Sequence, residues 1–195
     1  MTTNSSPLIG VLALQGAFRE HRRALERLGA TVREVRLPKD LDGLGGLIVP
    51  GGESSTMAKL MVAYDFTEAL PAAFADGLPI WGTCAGAILL AEEIEGHPDQ
   101  PRLGLLPIAV ARNDYGRQVA SFETDLQFDD FGEPFRAVFI RAPRITRCGD
   151  DVEVLSHHAG DPVAVRYQHA MATVFHPELS RDDRIHAWFL RNVAR

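Results

Sequence analysis

The chain has 195 residues, of which 46% are hydrophobic and 24% charged, and its formal net charge is -6. This composition is that of an ordinary globular protein, and the length fits one domain. The negative charge disfavours nucleic-acid binding, which requires a clustered basic surface. We expect a single domain over residues 8–195, preceded by a flexible tail at residues 1–7.

The start of the chain, its short apolar runs and its cysteine content indicate a cytoplasmic protein. The polar start of the chain lacks the basic and apolar regions of a secretory signal, and no apolar run approaches the roughly 20 residues that span a bilayer. The two cysteines, Cys84 and Cys148, make no disulfide framework, and neither belongs to a metal-binding CxxC pair. The sequence therefore predicts no metal site.

The first half of the chain alternates predicted strands and helices. The strands are expected at residues 8–14, 31–37, 47–50 and 78–81, and the helices at 18–28 and 55–74, the second broken near Asp65 and Pro71. In the first helix Phe18, His21, Leu25 and Leu28 recur at helical spacing. The alternating pattern of residues 31–37 is typical of a strand near a sheet edge. Strand, crossover and strand in repetition predict a parallel sheet, with ligands beyond the carboxyl ends of its strands.

The second half is richer in predicted strands. Residues 108–175 contain several β-rich segments, which we expect to add antiparallel or mixed strands to the first sheet. A closing helix is predicted over residues 182–193, with Ile185, Trp188 and Phe189 on one face.

The most informative motif surrounds Cys84. A predicted strand leads into Gly82-Thr83-Cys84-Ala85-Gly86 and then into an apolar helix over residues 87–94. This is the cysteine form of a nucleophile elbow, in which flanking glycines permit a sharp turn that exposes the reactive side chain. The N-H groups at the start of the following helix can stabilise a thiolate or an oxyanion. A lone cysteine is commonly a small buried hydrophobe, and we retain that interpretation for Cys148, which lacks an elbow.

A cysteine nucleophile needs a histidine base, often oriented by a third group. His176-Pro177-Glu178 follows an apolar strand, at the sheet edge where Cys84 is also expected. Residues two apart in an extended segment point to the same side, so Glu178 can reach His176. The alternative for this tripeptide alone is a helix-start turn. His157-His158 is a rival pair, in a predicted loop and without an acidic residue two positions later.

A glycine-rich loop is the second expected source of oxyanion donors. Pro50-Gly51-Gly52-Glu53-Ser54 lies between a buried strand and a helix, and its glycines allow a backbone N-H to approach a ligand closely. The alternative is an ordinary glycine turn in which Ser54 or Ser55 caps the helix.

Together these residues resemble the class I glutamine amidotransferases, and more narrowly the glutaminase subunits of pyridoxal 5'-phosphate synthases. The resemblance covers nearly the whole chain. The segments that carry it are residues 14–17 (LQGA), 19–21 (REH), 50–57 (PGGESSTM), 112–118 (RNDYGRQ), 139–143 (FIRAP) and 175–178 (FHPE), together with the elbow. The charged loop at residues 96–102 does not align.

This resemblance implies a flavodoxin-like three-layer α/β sandwich with a mostly parallel central sheet and added antiparallel strands. It also implies that Cys84 attacks the glutamine carboxamide, that His176 shuttles protons and that Glu178 orients His176. Gly52 and Ala85 would supply the oxyanion N-H donors. The implied substrate-binding residues are Gly52, Glu53, Ser54, Arg112, Ile140 and Arg141. Arginine suits the α-carboxylate of glutamine because its guanidinium can pair bidentately.

By the same resemblance the glutaminase needs no cofactor, and its partner is a barrel synthase subunit that uses the ammonia to make pyridoxal 5'-phosphate. Three alternatives remain open from the residues themselves. They are the glutaminase of another pathway, such as histidine or purine synthesis, a cysteine peptidase of related topology, and a non-catalytic binding subunit. The segment at residues 112–118 disfavours the first, and the absence of a histidine beside Cys84 disfavours the second.

Overall fold

The structure, a computed structural model, describes residues 7–112 and 121–192. In these ranges the strands are β1 (Leu8–Leu12), β2 (Thr31–Val35), β3 (Gly46–Val49), β4 (Ile80–Thr83), β5 (Ala91–Ile94), β6 (Leu106–Ala111), β7 (Ser121–Leu126), β8 (Phe135–Ile140), β9 (Arg144–Cys148), β10 (Glu153–His158), β11 (Asp161–Tyr167) and β12 (Ala170–Thr173). The helices are α1 (Phe18–Arg27), α2 (Ser54–Ala63), α3 (Phe66–Ala75), α4 (Ala85–Leu90) and α5 (Arg184–Asn192), and 3-10 turns lie at Pro38–Leu41 and Pro177–Leu179. None of the helices in the described ranges has the length and apolar character required to cross a membrane.

A seven-stranded sheet with the order β10-β11-β12-β4-β3-β1-β2 forms the centre of the fold. The five strands from β12 to β2 are parallel, whereas β11 is antiparallel to both neighbours. The chain leaves β1 towards β2 but continues from β3 to β4 in the opposite direction, so right-handed crossovers place helices on both faces. Accordingly α1 contacts α5, while α2 contacts α3 and α4. The expected three-layer, mostly parallel fold is confirmed, and β2 lies at the sheet edge as predicted.

The strands of the second half distribute differently from our expectation. Among the strands of the described residues, β10, β11 and β12 join the central sheet, β5, β6 and β9 form a second, mixed sheet, and β7 pairs with β8. Burial explains the division. Every residue of β12 is buried, as a strand covered on both faces requires, whereas β7 alternates between exposed and less exposed residues.

Several element boundaries also differ. The helix after Cys84 ends at Leu90 rather than at residue 94, because residues 91–94 pair with β6 and tertiary pairing overrides helix propensity. The break near Asp65 is confirmed, since this residue has a positive φ of 61° between α2 and α3. The break at Pro71 is wrong. This residue lies inside α3, where it removes only one backbone hydrogen bond. The end of the last predicted helix, residue 193, lies outside the described residues.

Candidate active site

Loops that follow four neighbouring parallel strands enclose one pocket. The strands β12, β4, β3 and β1 are adjacent in the sheet, so their carboxyl ends meet at one edge. The pocket has a volume of about 400 Å³, which lies in the range of small-molecule sites. It is lined by Gln15, Gly16, Ala17, Gly51, Gly52, Glu53, Ser54, Cys84, Ala85, Ile88, Arg112, Ile140, Arg141, His176 and Leu179. All the site residues expected from the sequence therefore lie in its wall, except Glu178.

Cys84 occupies a strained turn between β4 and α4. Its φ of 49° and ψ of -105° are rare for a residue with a side chain, and its N-H donates a 2.8 Å hydrogen bond to the carbonyl of Thr173. The flanking glycines have a role different from the one predicted, because the positive φ belongs to the cysteine itself. A Cβ at Gly86 would lie 2.0 Å from the carbonyl oxygen of Val49, and one at Gly82 would lie 2.6 Å from the backbone of Gly86. The glycines therefore permit close backbone packing around the elbow.

His176 in the pocket wall and Glu178 behind it form a buried pair. The Nδ1 of His176 lies 2.7 Å from Oε1 of Glu178, and the two residues are only 8% and 6% exposed. The backbone that brings these two side chains together is not the extended segment that the sequence predicted. Glu178 lies in the 3-10 turn that follows His176, and the main chain is anchored by a 2.8 Å hydrogen bond from the His176 N-H to the carbonyl of Val138.

The same surroundings set the protonation of this pair. Burial lowers the pKa of His176, but hydrogen bonds and charge interactions with Cys84 and Glu178 outweigh this effect and raise the pKa to about 10. Burial alone would raise the pKa of Glu178, yet its interactions with His21 and His176 keep that pKa below the ordinary value. At neutral pH His176 therefore carries a proton that it can deliver, and Glu178 is ionised.

The glycine loop after β3 is held by the loop after β1. The carbonyl of Gly51 accepts a 2.9 Å hydrogen bond from the N-H of Ala17, and Gln15 Oε1 accepts one of 2.9 Å from the N-H of Glu53. Because a trans peptide directs its N-H opposite to its carbonyl, the first bond also fixes the direction of the Gly52 N-H. A Cβ at Gly51 would lie 2.5 Å from the imidazole of His176, so glycine is required for this close approach. On the opposite side, Ala85 begins α4, where N-H groups lack intrahelical acceptors.

Glu53 caps the helix after this loop. Its carboxylate accepts hydrogen bonds from the N-H groups of Ser55 at 3.1 Å and Thr56 at 2.6 Å. Hydrogen bonding with the side chain of Thr56 and with these N-H groups lowers the pKa of Glu53 to about 2. The alternative with Ser54 or Ser55 as the cap is therefore wrong, because α2 already begins at Ser54.

The remaining predicted binding residues line the other side of the pocket. Arg112 donates to Oε1 of Gln100 at 2.7 Å and lies 3.6 Å from the carboxylate of Glu53. The carbonyl oxygen of Ile140 lies 3.9 Å from the sulfur of Cys84. Arg141 is exposed and has a φ of 43°. The rest of the predicted motif, residues 113–118, lies outside the described residues.

Sequence reasoning missed three contributors. Gln15 follows β1 at the same sheet edge as Cys84, so the rule that located the cysteine could have located it. Gln100 belongs to the loop that did not align, and no local signal connects it to Arg112. His21 contacts Glu178 from α1, where its spacing indicated only a buried face. The rival His157 and His158 do not line the pocket, and they lie in β10 rather than in a loop.

A flavodoxin-like sheet with a strained cysteine after one central strand and a His-x-Glu turn after its neighbour defines the class I glutamine amidotransferases. The chain belongs to the SNO glutamine amidotransferase family, which it matches over residues 11–195. It is 55% identical over 184 residues to pyridoxal 5'-phosphate synthase subunit PdxT of Thermus thermophilus, covering 94% of this chain and 96% of that protein. It is also 53% identical over 186 residues to the protein of the same name from Kosmotoga olearia, covering 95% and 97%.

Solved structures agree with this assignment. A crystal structure described as a glutamine amidotransferase superposes with a TM-score of 0.91 at 52% sequence identity, covering 94% of this chain and 97% of that one. The structure of PurLQS from Thermotoga maritima superposes with a TM-score of 0.73, covering 95% and 98%, but at only 20% identity. The second likeness concerns the fold alone.

Proposed function

We propose that this protein hydrolyses L-glutamine to L-glutamate and ammonia, and that the ammonia is used by a pyridoxal 5'-phosphate synthase subunit. The observation that carries the proposal is the 2.7 Å contact between His176 and Glu178 beside Cys84, at the wall of a pocket of about 400 Å³. Membership of the SNO glutamine amidotransferase family supports the reaction. The names of the PdxT relatives support the pathway.

In the first half-reaction the sulfur of Cys84 attacks the carboxamide carbon of glutamine as a thiolate, its proton having been taken by His176. The carbonyl π electrons move to oxygen, and the N-H groups of Gly52 and Ala85 stabilise the resulting oxyanion. The oxyanion then re-forms the carbonyl, the C-N bond breaks, and the departing amine takes the proton of His176 to leave as ammonia. A thioester remains on Cys84, and Glu178 keeps the imidazole oriented.

In the second half-reaction water hydrolyses this thioester. Neutral His176 accepts a proton from the attacking water, a second oxyanion forms at the same N-H donors, and its collapse expels the sulfur of Cys84. The products are glutamate and the free enzyme. Glu53, Ser54, Arg112, Ile140 and Arg141 would hold the amino-acid end of the substrate, with an arginine pairing to its α-carboxylate.

Exposed apolar residues at the pocket favour the binding of a protein partner. Ile140 and Leu179 line the pocket and are 36% and 45% exposed, so they present apolar surface beside it. A synthase subunit seated there would cover apolar surface and receive ammonia directly. It could also act on the oxyanion loop, where the hydrogen bond from Ala17 to Gly51 sets the direction of the Gly52 N-H. We therefore expect the synthase to increase glutamine turnover.

The test uses glutamine labelled with ¹⁵N at the side-chain amide, with the purified chain alone and with a pyridoxal 5'-phosphate synthase subunit. We expect labelled ammonia release that rises with the synthase, and label in the pyridoxal 5'-phosphate formed. A Cys84→Ala variant should transfer no label from glutamine, while added ¹⁵N-ammonium should still label the product. Labelled ammonia that never enters pyridoxal 5'-phosphate would refute the pathway but not the glutaminase. No ammonia release with or without the synthase would refute both.

A further inference from the structure

Two fully buried histidines stand behind the proposed triad. His21 on α1 and His186 on α5 are both 0% exposed, although neither lines the pocket. A buried imidazole is costly unless its ring nitrogens find hydrogen-bond partners. The hydrogen-bond partners of these two rings therefore indicate their role.

Their contacts connect Glu178 of the proposed triad to His21 and then to His186 in the core. His21 Nε2 lies 3.1 Å from the hydroxyl oxygen of Thr83 and 3.4 Å from Oε2 of Glu178, the carboxylate oxygen that His176 does not use. His21 Nδ1 lies 2.9 Å from Nε2 of His186. Within the described part of the chain, Oε2 of Glu178 is buried and makes no hydrogen bond. The Nε2 of His21, 3.4 Å away, is within charge-interaction distance of this unsatisfied oxygen.

The hydrogen-bond pattern assigns the tautomers. Burial lowers the pKa of both histidines. The charge of Glu178 opposes this effect at His21 and the charge of Arg27 adds to it at His186, and both rings are neutral at physiological pH. The Nδ1 of His186 is buried without a partner among the described residues. An orphaned acceptor is tolerated better than an orphaned N-H, which places the proton of His186 on Nε2, donated to His21 Nδ1. The proton of His21 must then lie on Nε2, which hydrogen-bonds to Thr83 and lies 3.4 Å from Oε2 of Glu178.

We propose that His21 is a positioning residue for the glutaminase triad, in which its Nε2-H holds Oε2 of Glu178 so that Oε1 faces His176, and His186 fixes the tautomer of His21. The inference rests on the proposed function. Without this N-H the buried Oε2, which makes no other hydrogen bond among the described residues, would lose its polar neighbour. The carboxylate would then gain by rotating away from His176 or by taking up a proton. Either change would destabilise the protonated form of His176 and so lower its pKa.

The test compares His21→Met, which keeps much of the volume but removes the donor, with His21→Gln, whose amide can donate near the position of Nε2. Besides His21, the groups that face this site are Glu178 and His176 from the turn after β12, His186 from α5 and Glu20 from α1. We expect His21→Met to lower kcat by about 10- to 100-fold, by analogy with the cost of losing the outer partner that orients a metal-binding histidine. The KM for glutamine should stay constant because His21 does not line the pocket, and the alkaline limb of the pH profile of kcat/KM should move to lower pH. His21→Gln should restore most of the lost kcat and reverse most of the shift of the alkaline limb.

Two outcomes would overturn this role. One is wild-type kcat and pH profile in His21→Met, and the other is equal loss in both variants with an unmoved alkaline limb, which would indicate packing alone. If the variants do not fold, ¹⁵N-histidine NMR of the wild-type chain decides, since a His21 ring with its proton on Nδ1, or on both nitrogens at neutral pH, contradicts the proposal. Absence of ammonia release by the wild-type protein with its synthase would instead refute the glutaminase function.

Discussion

Gly16 packs directly against the carbonyl oxygen of Gly51. A Cβ at Gly16 would stand 2.0 Å from that oxygen, and the φ of Gly16 is +93°. The carbonyl belongs to the peptide whose N-H we propose as an oxyanion donor, so we expect the loop after β1 to influence the orientation of that N-H.

We expect Gly16→Ala to lower kcat for glutamine by about 100-fold or more, because displacing one oxyanion donor typically costs that much. Gly77→Ala is the matched control, since Gly77 has a φ of +95° but nothing within 4 Å of an added Cβ. Gly77→Ala should lose about 1–2 kcal/mol of unfolding free energy through its positive φ, and Gly16→Ala should lose more because its Cβ also meets the Gly51 carbonyl. Equal activity in the two variants would show that the contact with Gly51 has no catalytic importance.

Cys84→Ala should abolish ammonia release, whereas Cys148→Ala should retain it, because Cys148 is a half-buried thiol at the end of β9. Residual turnover of Cys84→Ala above roughly 1% of wild type would contradict a nucleophilic role, since losing a nucleophile costs several orders of magnitude.

The strain at Cys84 can be measured separately from its chemistry. The backbone conformation of Cys84, with φ 49° and ψ -105°, is readily adopted by glycine but is strained for alanine. Cys84→Gly should therefore be more stable to urea than Cys84→Ala, by about 1 kcal/mol, although both are inactive. An alanine variant as stable as the glycine variant would indicate an unstrained elbow.

The pKa of His176 predicts the alkaline limit of activity. His176 must be protonated to give a proton to the leaving ammonia, so kcat/KM should fall as the pH rises through about 10. Glu178→Gln removes a carboxylate that raises this pKa, and the limb should therefore move to lower pH. We also expect kcat to fall by up to about 10⁴-fold, the loss known when the orienting carboxylate of a triad becomes an amide. A loss as severe as that of His176→Ala would require reassignment of the general base.

Glu53 combines a structural and a proposed binding role, and two substitutions separate them. Glu53→Ala should cost about 1 kcal/mol by removing the cap of α2, whereas Glu53→Ser should keep the cap and most of the stability. If Glu53 also binds glutamine, both variants should raise KM equally. An unchanged KM in Glu53→Ser would restrict Glu53 to capping. Because its pKa is lowered from 4.5 to about 2, the stabilising effect of the carboxylate should be complete above pH 4.5 and lost as the pH falls towards 2.

The sequence was informative where local pattern and sheet geometry agree. Cys84 and His176 both follow apolar strands, and the carboxyl ends of parallel strands meet at one edge, so their placement at one pocket follows from two short segments. The contact between Gln100 and Arg112 could not be foreseen, because it depends on the path of an irregular loop. His21 was rightly expected on the buried face of α1, but helical spacing does not identify the carboxylate that it meets.

Pairing choices also exceeded the reach of the sequence. Strand character was correctly expected over much of residues 108–175, but which sheet each strand joins depends on the partner that covers it. The four consecutive small or apolar residues of β12 suit a position between two strands, while the half-exposed β7 pairs with β8 among the strands that the structure describes. These differences appear only when burial on both faces is known.

The place of β12 has a consequence for the order in which the protein matures. This strand is the last of the central sheet to be synthesised, yet it lies between β4 and β11 rather than at an edge. A chain emerging from the ribosome therefore displays the nucleophile long before its base, with the hydrogen-bonding edge of β4 still open. Such an edge is a site for mispairing until the final strand inserts. Chemical competence and protection from aggregation should thus be acquired together, in the same late event.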